Sequence, residues 1–275
     1  MSTPARAWRW LLSGTEFGAR NMATDQAIHE AVAEGSAPPT LRLYAWAPPC
    51  LSLGFAQPVA QIDRARAAAL GWEVVRRPTG GRAILHTDEL TYSIVLPDDD
   101  PLVSGGVLES YHRLSQGIVA GLDILGMRVD VQPGLPLSQA ERERPVCFEA
   151  PSAYEITWQG RKVAGSAQVR RRQTVLQHGT LPLHGDITRI CLGLIFDSEV
   201  ARMAAREQLR ARAVTLSEIL GRTVGWEEAA QALSQGMAQA LEIELTPGAL
   251  SPAELARRDA LEQRTYASET WTARI

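Results

Sequence analysis

Two hydrophobic periods alternate along this chain. Between residues 107 and 125 the apolar side chains Val107, Tyr111, Leu114, Ile118, Leu122 and Leu125 recur every three or four positions, lining one face of an α-helix. Shorter runs rich in β-branched and aromatic residues surround it and predict strands at 40–46, 50–55, 73–76 and 89–96, the first two split by Pro48-Pro49. Residues 21–34 predict a helix, with Ile28 and Val32 one turn apart, and 59–70 predict another that stops at Gly71. A hairpin follows, 154–158 and 161–164 joined by Gln159-Gly160, and then a strand at 175–183. Beyond Gly185 the pattern turns mostly helical, and Ser251-Pro252-Ala253-Glu254 combines a capping box with proline at the first helical position. Strands interleaved with helices imply an α/β or α+β chain with a mixed β-sheet flanked by helices and a helical C-terminal tail. No repeat or long linker divides the 275 residues, so a single domain over 1–275 is expected, with its core at about 8–200 and the helical segment at about 200–275.

A hydrophobic content of 45% with 21% charged residues supports a packed core and excludes a disordered chain. No run approaches the roughly 20 apolar residues of a bilayer span. The N-terminal apolar run breaks at Ser13 and Gly14, too soon for a signal peptide, so a cytoplasmic protein is expected. Cys50, Cys147 and Cys191 are odd in number and widely spaced, which argues against a disulfide framework and a zinc site. A formal net charge of -3 gives no sign of nucleic-acid or membrane attraction.

Of the 28 basic residues only Lys162 is lysine. Arginine serves wherever a fixed charge suffices but cannot supply a compact ammonium, so the exception suggests lysine chemistry, with chance as the alternative. Lys162 opens a stretch of small residues, Ala164, Gly165, Ser166 and Ala167, that would let a ligand pack near the backbone. The loop Arg76-Arg77-Pro78-Thr79-Gly80-Gly81-Arg82, with His86 beyond it, joins two strands and exposes backbone amides, yet matches neither a phosphate-loop nor a dinucleotide fingerprint. Cys147 stands in a loop, whereas Cys50 and Cys191 sit in apolar runs as core residues do. Local sequence leaves Cys147 open between a small structural hydrophobe and a nucleophile whose thiolate a nearby cation would favour. His86 and His178 are equally open between structural and functional roles.

These segments carry a resemblance. RRPTGGRAILH followed by ELTYSIV, then CFEAPSAYEITWQGRKVAGSAQ and LQHGTL, resembles the lipoate-protein ligase and octanoyltransferase family, and GARNMATDQAIHEAV with APPTLRLYAWAPPCLSLGFAQ is similar to its N-terminal region. The likeness spans about residues 8–185 and lies nearest the cysteine-dependent octanoyltransferases that load the glycine cleavage H protein: the ligases carry a third glycine where this chain has Arg82, and they lack the cysteine. It implies a biotin/lipoate-ligase-like (class II synthetase-like) catalytic fold, Cys147 as nucleophile and Lys162 at the acyl carbonyl. It further implies substrate contacts from Arg77, Thr79, Gly80, Gly81, Arg82, His86, Gly165, Ser166, Ala167, His178 and Gly179. The implied donor is octanoyl-acyl-carrier-protein and the acceptor a lysine of the glycine cleavage H protein or another lipoyl domain, handled by a monomer without ATP, metal, nucleic acid or membrane. Three rivals share these motifs: an ATP-dependent lipoate ligase, an amidotransferase moving octanoyl or lipoyl between carrier domains, and a silent acyl-binding module.

Overall fold

The computed structural model describes residues 6–133 and 154–275. Its main sheet has six strands: β1 (Arg6–Glu16), β2 (Thr40–Trp46), β6 (Glu89–Pro97), β10 (Gly165–Arg171), β11 (Thr174–Pro182) and β12 (Ile243–Pro247), in the order β10-β11-β6-β2-β1-β12. β1 runs parallel to β2 and β12, and the other neighbours are antiparallel, so the sheet is mixed. A small sheet of β3 (Cys50–Leu53), β4 (Glu73–Arg76) and β5 (Ile84–His86) stands beside it, and β7 (Asp130–Pro133), β8 (Tyr154–Trp158) and β9 (Arg161–Lys162) form a third.

Strand periodicity assigns each face of the main sheet a different cover. Leu41 and Leu43 of β2 with Tyr92, Ile94 and Leu96 of β6 face the largest apolar core, closed by α3 (Val107–Ile124) and α6 (Trp226–Ala240). Between α3 and α6 lie the α4 (Glu199–Arg212) and α5 (Leu216–Leu220) helices in sequence. The helix predicted at 107–125 thus ends one residue early, with Leu125 as its C-cap. On the opposite face Val95 and Leu176 pack under Ile28 and Val32 of α1 (Gly18–Ala33), outside which lies α7 (Pro252–Leu261) with the expected capping box on Ser251 and Glu254. α8 (Glu269–Thr272) ends the chain's regular structure.

Two expectations need correction. The helix at 59–70 is a 3₁₀ turn at Val59–Gln61 followed by α2 (Arg64–Ala69), because the Asp63 side chain accepts from the Arg66 amide and starts a new helix there. The tail is not only helical: β12 adds an outer strand to the main sheet, and α6 packs on α3 so closely that a methyl at Gly121 would lie 2.8 Å from the Leu233 Cα. Among the described residues no helix is long and apolar enough to cross a membrane.

Candidate active site

The sheet register builds the site. Ala167 pairs with His178, His178 with Ser93, and Ser93 with Arg42; one step along, Gly165 pairs with Thr180, Thr180 with Thr91, and Thr91 with Tyr44. Because partners across a ladder share a face, these are two parallel rows of mostly polar side chains under the N-terminal half of α1. Six of them, Tyr44, Thr91, Gly165, Ala167, His178 and Thr180, form the floor of a small cavity whose other walls are Met22 of α1, Trp46, and the small sheet with Ser52, Ile84 and His86.

Between the first row and α1 lies a buried charge network. Arg42 and Asp25 of α1, 1% and 0% exposed, meet at 2.8 Å. Arg42 also donates to the Asn21 side-chain oxygen at 2.6 Å, and the Tyr44 and Ser93 hydroxyls donate to Asp25 at 2.8 and 2.9 Å. Burial alone would raise the Asp25 pKa, but the Arg42 guanidinium with His178 beside it more than offsets this and holds the carboxyl below its usual range. His178 is pushed the other way: burial outweighs the attraction of Asp25 and lowers its pKa, keeping the imidazole neutral near pH 7. Its Nε2 lies 2.6 Å from the Thr79 hydroxyl, while Nδ1 lies 3.5 Å from Asp25, too far for a formed hydrogen bond.

His86 is held on three sides. Its Nδ1 is 2.5 Å from Glu89, its Nε2 is 2.7 Å from the Ser52 hydroxyl, and its ring stacks on Trp46 at 4.0 Å. Glu89 therefore favours the proton on Nδ1 and leaves Nε2 to accept from Ser52.

The two loop arginines spend their donors on backbone carbonyls. Arg76 reaches those of Gly54, Gln57 and Thr272, and Arg77 those of Ser52, Gly80 and Arg82 at 2.7–2.9 Å. Arg77 lines the cavity while fixing the 80–82 turn, in which Gly81 has φ +94°. Gly54 packs against that turn so tightly that a Cβ would sit 1.9 Å from the Gly81 carbonyl oxygen.

Of the residues proposed from sequence, Arg77, Gly81, His86, Gly165, Ser166, Ala167, His178 and Gly179 line this one cavity. Thr79, Gly80, Arg82 and Lys162 are not in its wall; Thr79 reaches it through His178, and Gly80 and Arg82 through the Arg77 clamp. Lys162 is buried at 4% exposure, with Nζ 3.1 Å from a Glu155 oxygen, three residues ahead of Gly165. Cys147 lies outside the described residues. Cys50 is buried, and burial pushes its thiol pKa well up, consistent with an inert core group. Sequence reasoning missed Met22, Asp25, Arg42, Tyr44, Trp46, Ser52 and Thr91. The alternation of Arg42, Tyr44 and Trp46 along one strand, facing Asn21 and Asp25 one turn apart on a helix, is the signal that could have found most of them.

The lipoyl protein ligase A/B catalytic-domain profile matches residues 18–238. The chain is 38% identical to an octanoyltransferase LipM of Brevibacillus brevis, over 97% of this chain and 99% of that one. It is 41% identical to an octanoyltransferase LipM of Moorella thermoacetica, over 98% and 99%. Among solved structures it is similar to a bi-partite lipoate protein ligase of Thermoplasma acidophilum (TM-score 0.81, 23% identity, 98% of this chain and 96% of that one). A lipoate-protein ligase A bound with ATP superposes with a TM-score of 0.79 at 23% identity, covering 97% and 98%. The shared fold, and a profile that takes in the α1 network, the glycine turn and the β10–β11 rows together, establish that this chain belongs to the lipoyl protein ligase A/B catalytic-domain family.

Proposed function

We propose that this chain is an octanoyltransferase of lipoate biosynthesis, taking octanoyl from octanoyl-acyl-carrier-protein and passing it, through a thioester on Cys147, to a lysine of a lipoyl-carrier protein such as the glycine cleavage H protein. The observation that carries the reading is the cavity beside the Gly81 turn, set in a chain 37–41% identical to relatives named octanoyltransferases over nearly their whole length. Its exposed lining is mainly apolar, as a bound acyl chain requires. Burying the six methylenes of octanoyl is worth about 5 kcal/mol, at about 0.8 kcal/mol each.

In the proposed reaction the Cys147 thiolate attacks the donor carbonyl, a new C–S bond forms, and the carrier's thiolate leaves with the electrons of the old one. The acceptor lysine, as a free amine, then attacks the acyl-enzyme; the amide bond forms, the ammonium proton passes to water, and Cys147 is released as thiolate. Lys162, the chain's single lysine, supplies positive charge for the oxyanion that develops in each step. The donor thioester already carries the activation, so the proposed route uses neither ATP nor a metal, and its proposed setting is the cytoplasm.

The test is intact-mass measurement after mixing the protein with octanoyl-acyl-carrier-protein. An octanoyl adduct mapped to Cys147, absent from Cys147→Ala and discharged by H protein, is expected. Full activity of Cys147→Ala with octanoate and ATP would instead make the protein a ligase. Loading from octanoylated H protein in preference to acyl-carrier-protein would make it an amidotransferase.

A further inference from the structure

A second ligand position follows the same sheet face outward from the cavity. On β10 the residues Gly165, Ala167, Val169 and Arg171 alternate onto the α1 side, so Arg171 extends the row that begins at the cavity wall. Arg171 lies over the Phe55 ring, its guanidinium carbon 4.9 Å from the centroid. Arg274 lies over the same ring at 3.8 Å and over Trp271 at 4.0 Å. Phe55 is tied to the glycine turn through its amide, which donates to the Thr79 carbonyl at 2.8 Å.

Two guanidinium groups therefore share one aromatic ring at the turn. Among the described residues neither has a carboxylate partner. Glu30, the acidic group near this corner, is already engaged by Arg172 at 3.3 Å and Arg257 at 3.6 Å. Arg274 donates from Nη2 to the Phe55 carbonyl at 2.9 Å, and its Nε is buried without a hydrogen-bond partner. Its pKa is lowered by burial and by Arg171, the mark of like charges held close. Stacking fixes the planes of such groups, and guanidinium donors not spent on carboxylates suit phosphate, which they bind by paired hydrogen bonds.

We propose that Arg171 and Arg274 form a phosphate site that holds the prosthetic arm of the acyl donor, an inference resting on the transferase reading above. The spacing agrees. From Ala167 to Arg171 is four strand residues, about 13 Å. A pantetheine arm places about thirteen bonds between sulfur and phosphorus, the backbone length of about four extended residues. With the phosphate held at Arg171 and Arg274, the thioester reaches the cavity wall at Ala167 and the acyl chain enters beyond it.

Titration calorimetry on the full chain with 4′-phosphopantetheine and with unphosphorylated pantetheine tests this. Wild type should bind the phosphorylated arm at least about tenfold more tightly, and Arg171→Gln should remove most of that preference without changing pantetheine binding. Arg171→Gln/Arg274→Gln should remove the rest; Arg171 is exposed, so the single variant decides the matter if the double variant does not fold. Equal binding of the two compounds by wild type, no binding of the phosphorylated arm at millimolar concentration, or a preference surviving in Arg171→Gln would overturn the proposal. Neither probe carries an acyl group, so the outcome is independent of the Cys147 adduct. Loss of that adduct with phosphate preference intact would refute the function and leave the site, and the reverse would refute the site alone.

Discussion

Replacing Asp25 by Asn should destabilise the protein by about 3–5 kcal/mol, the usual cost of stranding one member of a buried ion pair. The structure supports that size. Charge centres about 4 Å apart attract by about 4 kcal/mol at an effective dielectric constant of 20. Arg42, 1% exposed, cannot recover the loss by turning to water. Asn can keep an oxygen for Arg42 and Ser93, which share Oδ1, but turns an amide toward the Tyr44 hydroxyl, which donates to Oδ2, so one hydrogen bond is lost along with the charge. With total stabilities of about 5–15 kcal/mol, the variant should remain folded at 25 °C but unfold at a clearly lower urea concentration with unchanged m-value. Adding Arg42→Met removes the stranded cation and should return part of the loss, since an unpaired buried charge costs more than the absence of both charges. A loss below about 1 kcal/mol for Asp25→Asn, or a double variant weaker than the single one, would show that the pair is not what fixes α1 to the sheet.

Acid should weaken the fold in two stages. His29 and His178 both have folded pKa values lowered by burial from about 6.5, so their neutral forms stabilise the protein above pH 6.5, and that contribution is lost as pH falls from 6.5 through the folded values. Asp25, also lowered, adds a second loss below about pH 3.9; urea midpoints measured from pH 8 to 4 should therefore already decline below 6.5, and a flat profile there would contradict the burial of both rings. Gly179→Ala would bring a methyl to 2.5–2.7 Å from the Ser166 hydroxyl, the Gly165 carbonyl and the Tyr92 ring. Overpacking of this kind costs about 1–3 kcal/mol, and because the displaced strand carries Gly165 and Ala167, acyl transfer should fall more steeply than stability, read by urea midpoint and adduct formation on the same preparation.

The elements that sequence reveals well are those whose apolar residues recur regularly or run densely between clear turn signals. The bounds of β2 and β4 agree with expectation because β-branched, aromatic and leucine side chains fill them between Pro and Gly breaks, and α3 differs by a single residue because its apolar side chains recur toward one core. β1 was obscured: it carries Arg6, Arg9, Trp8 and Trp10 in a strand whose pairing with β2 slips at Leu12–Thr15, which breaks the period of two. β10 hides for a different reason. Its first half is small residues shaping a cavity and its second half is arginine at a sheet edge, so it has no apolar alternation to detect. The glycine turn and the small-residue run were visible as motifs, but the buried Asp25–Arg42 network was not. Polar residues on an inward-facing helix look solvent-exposed until the strand that neutralises them is known.

The contact between Gly54 and Gly81 also limits how the cavity can admit a ligand. With the two backbones touching and Arg77 clamping the turn from within, the roof cannot swing as an independent flap; displacing it would carry β3 along. Among the described residues β10 on the opposite wall pairs with β11 alone, and Arg170 ties it to the Val103, Gly105 and Gly106 carbonyls ahead of α3. A ligand entering beneath the turn must therefore move β3 with it or pass without displacing the turn.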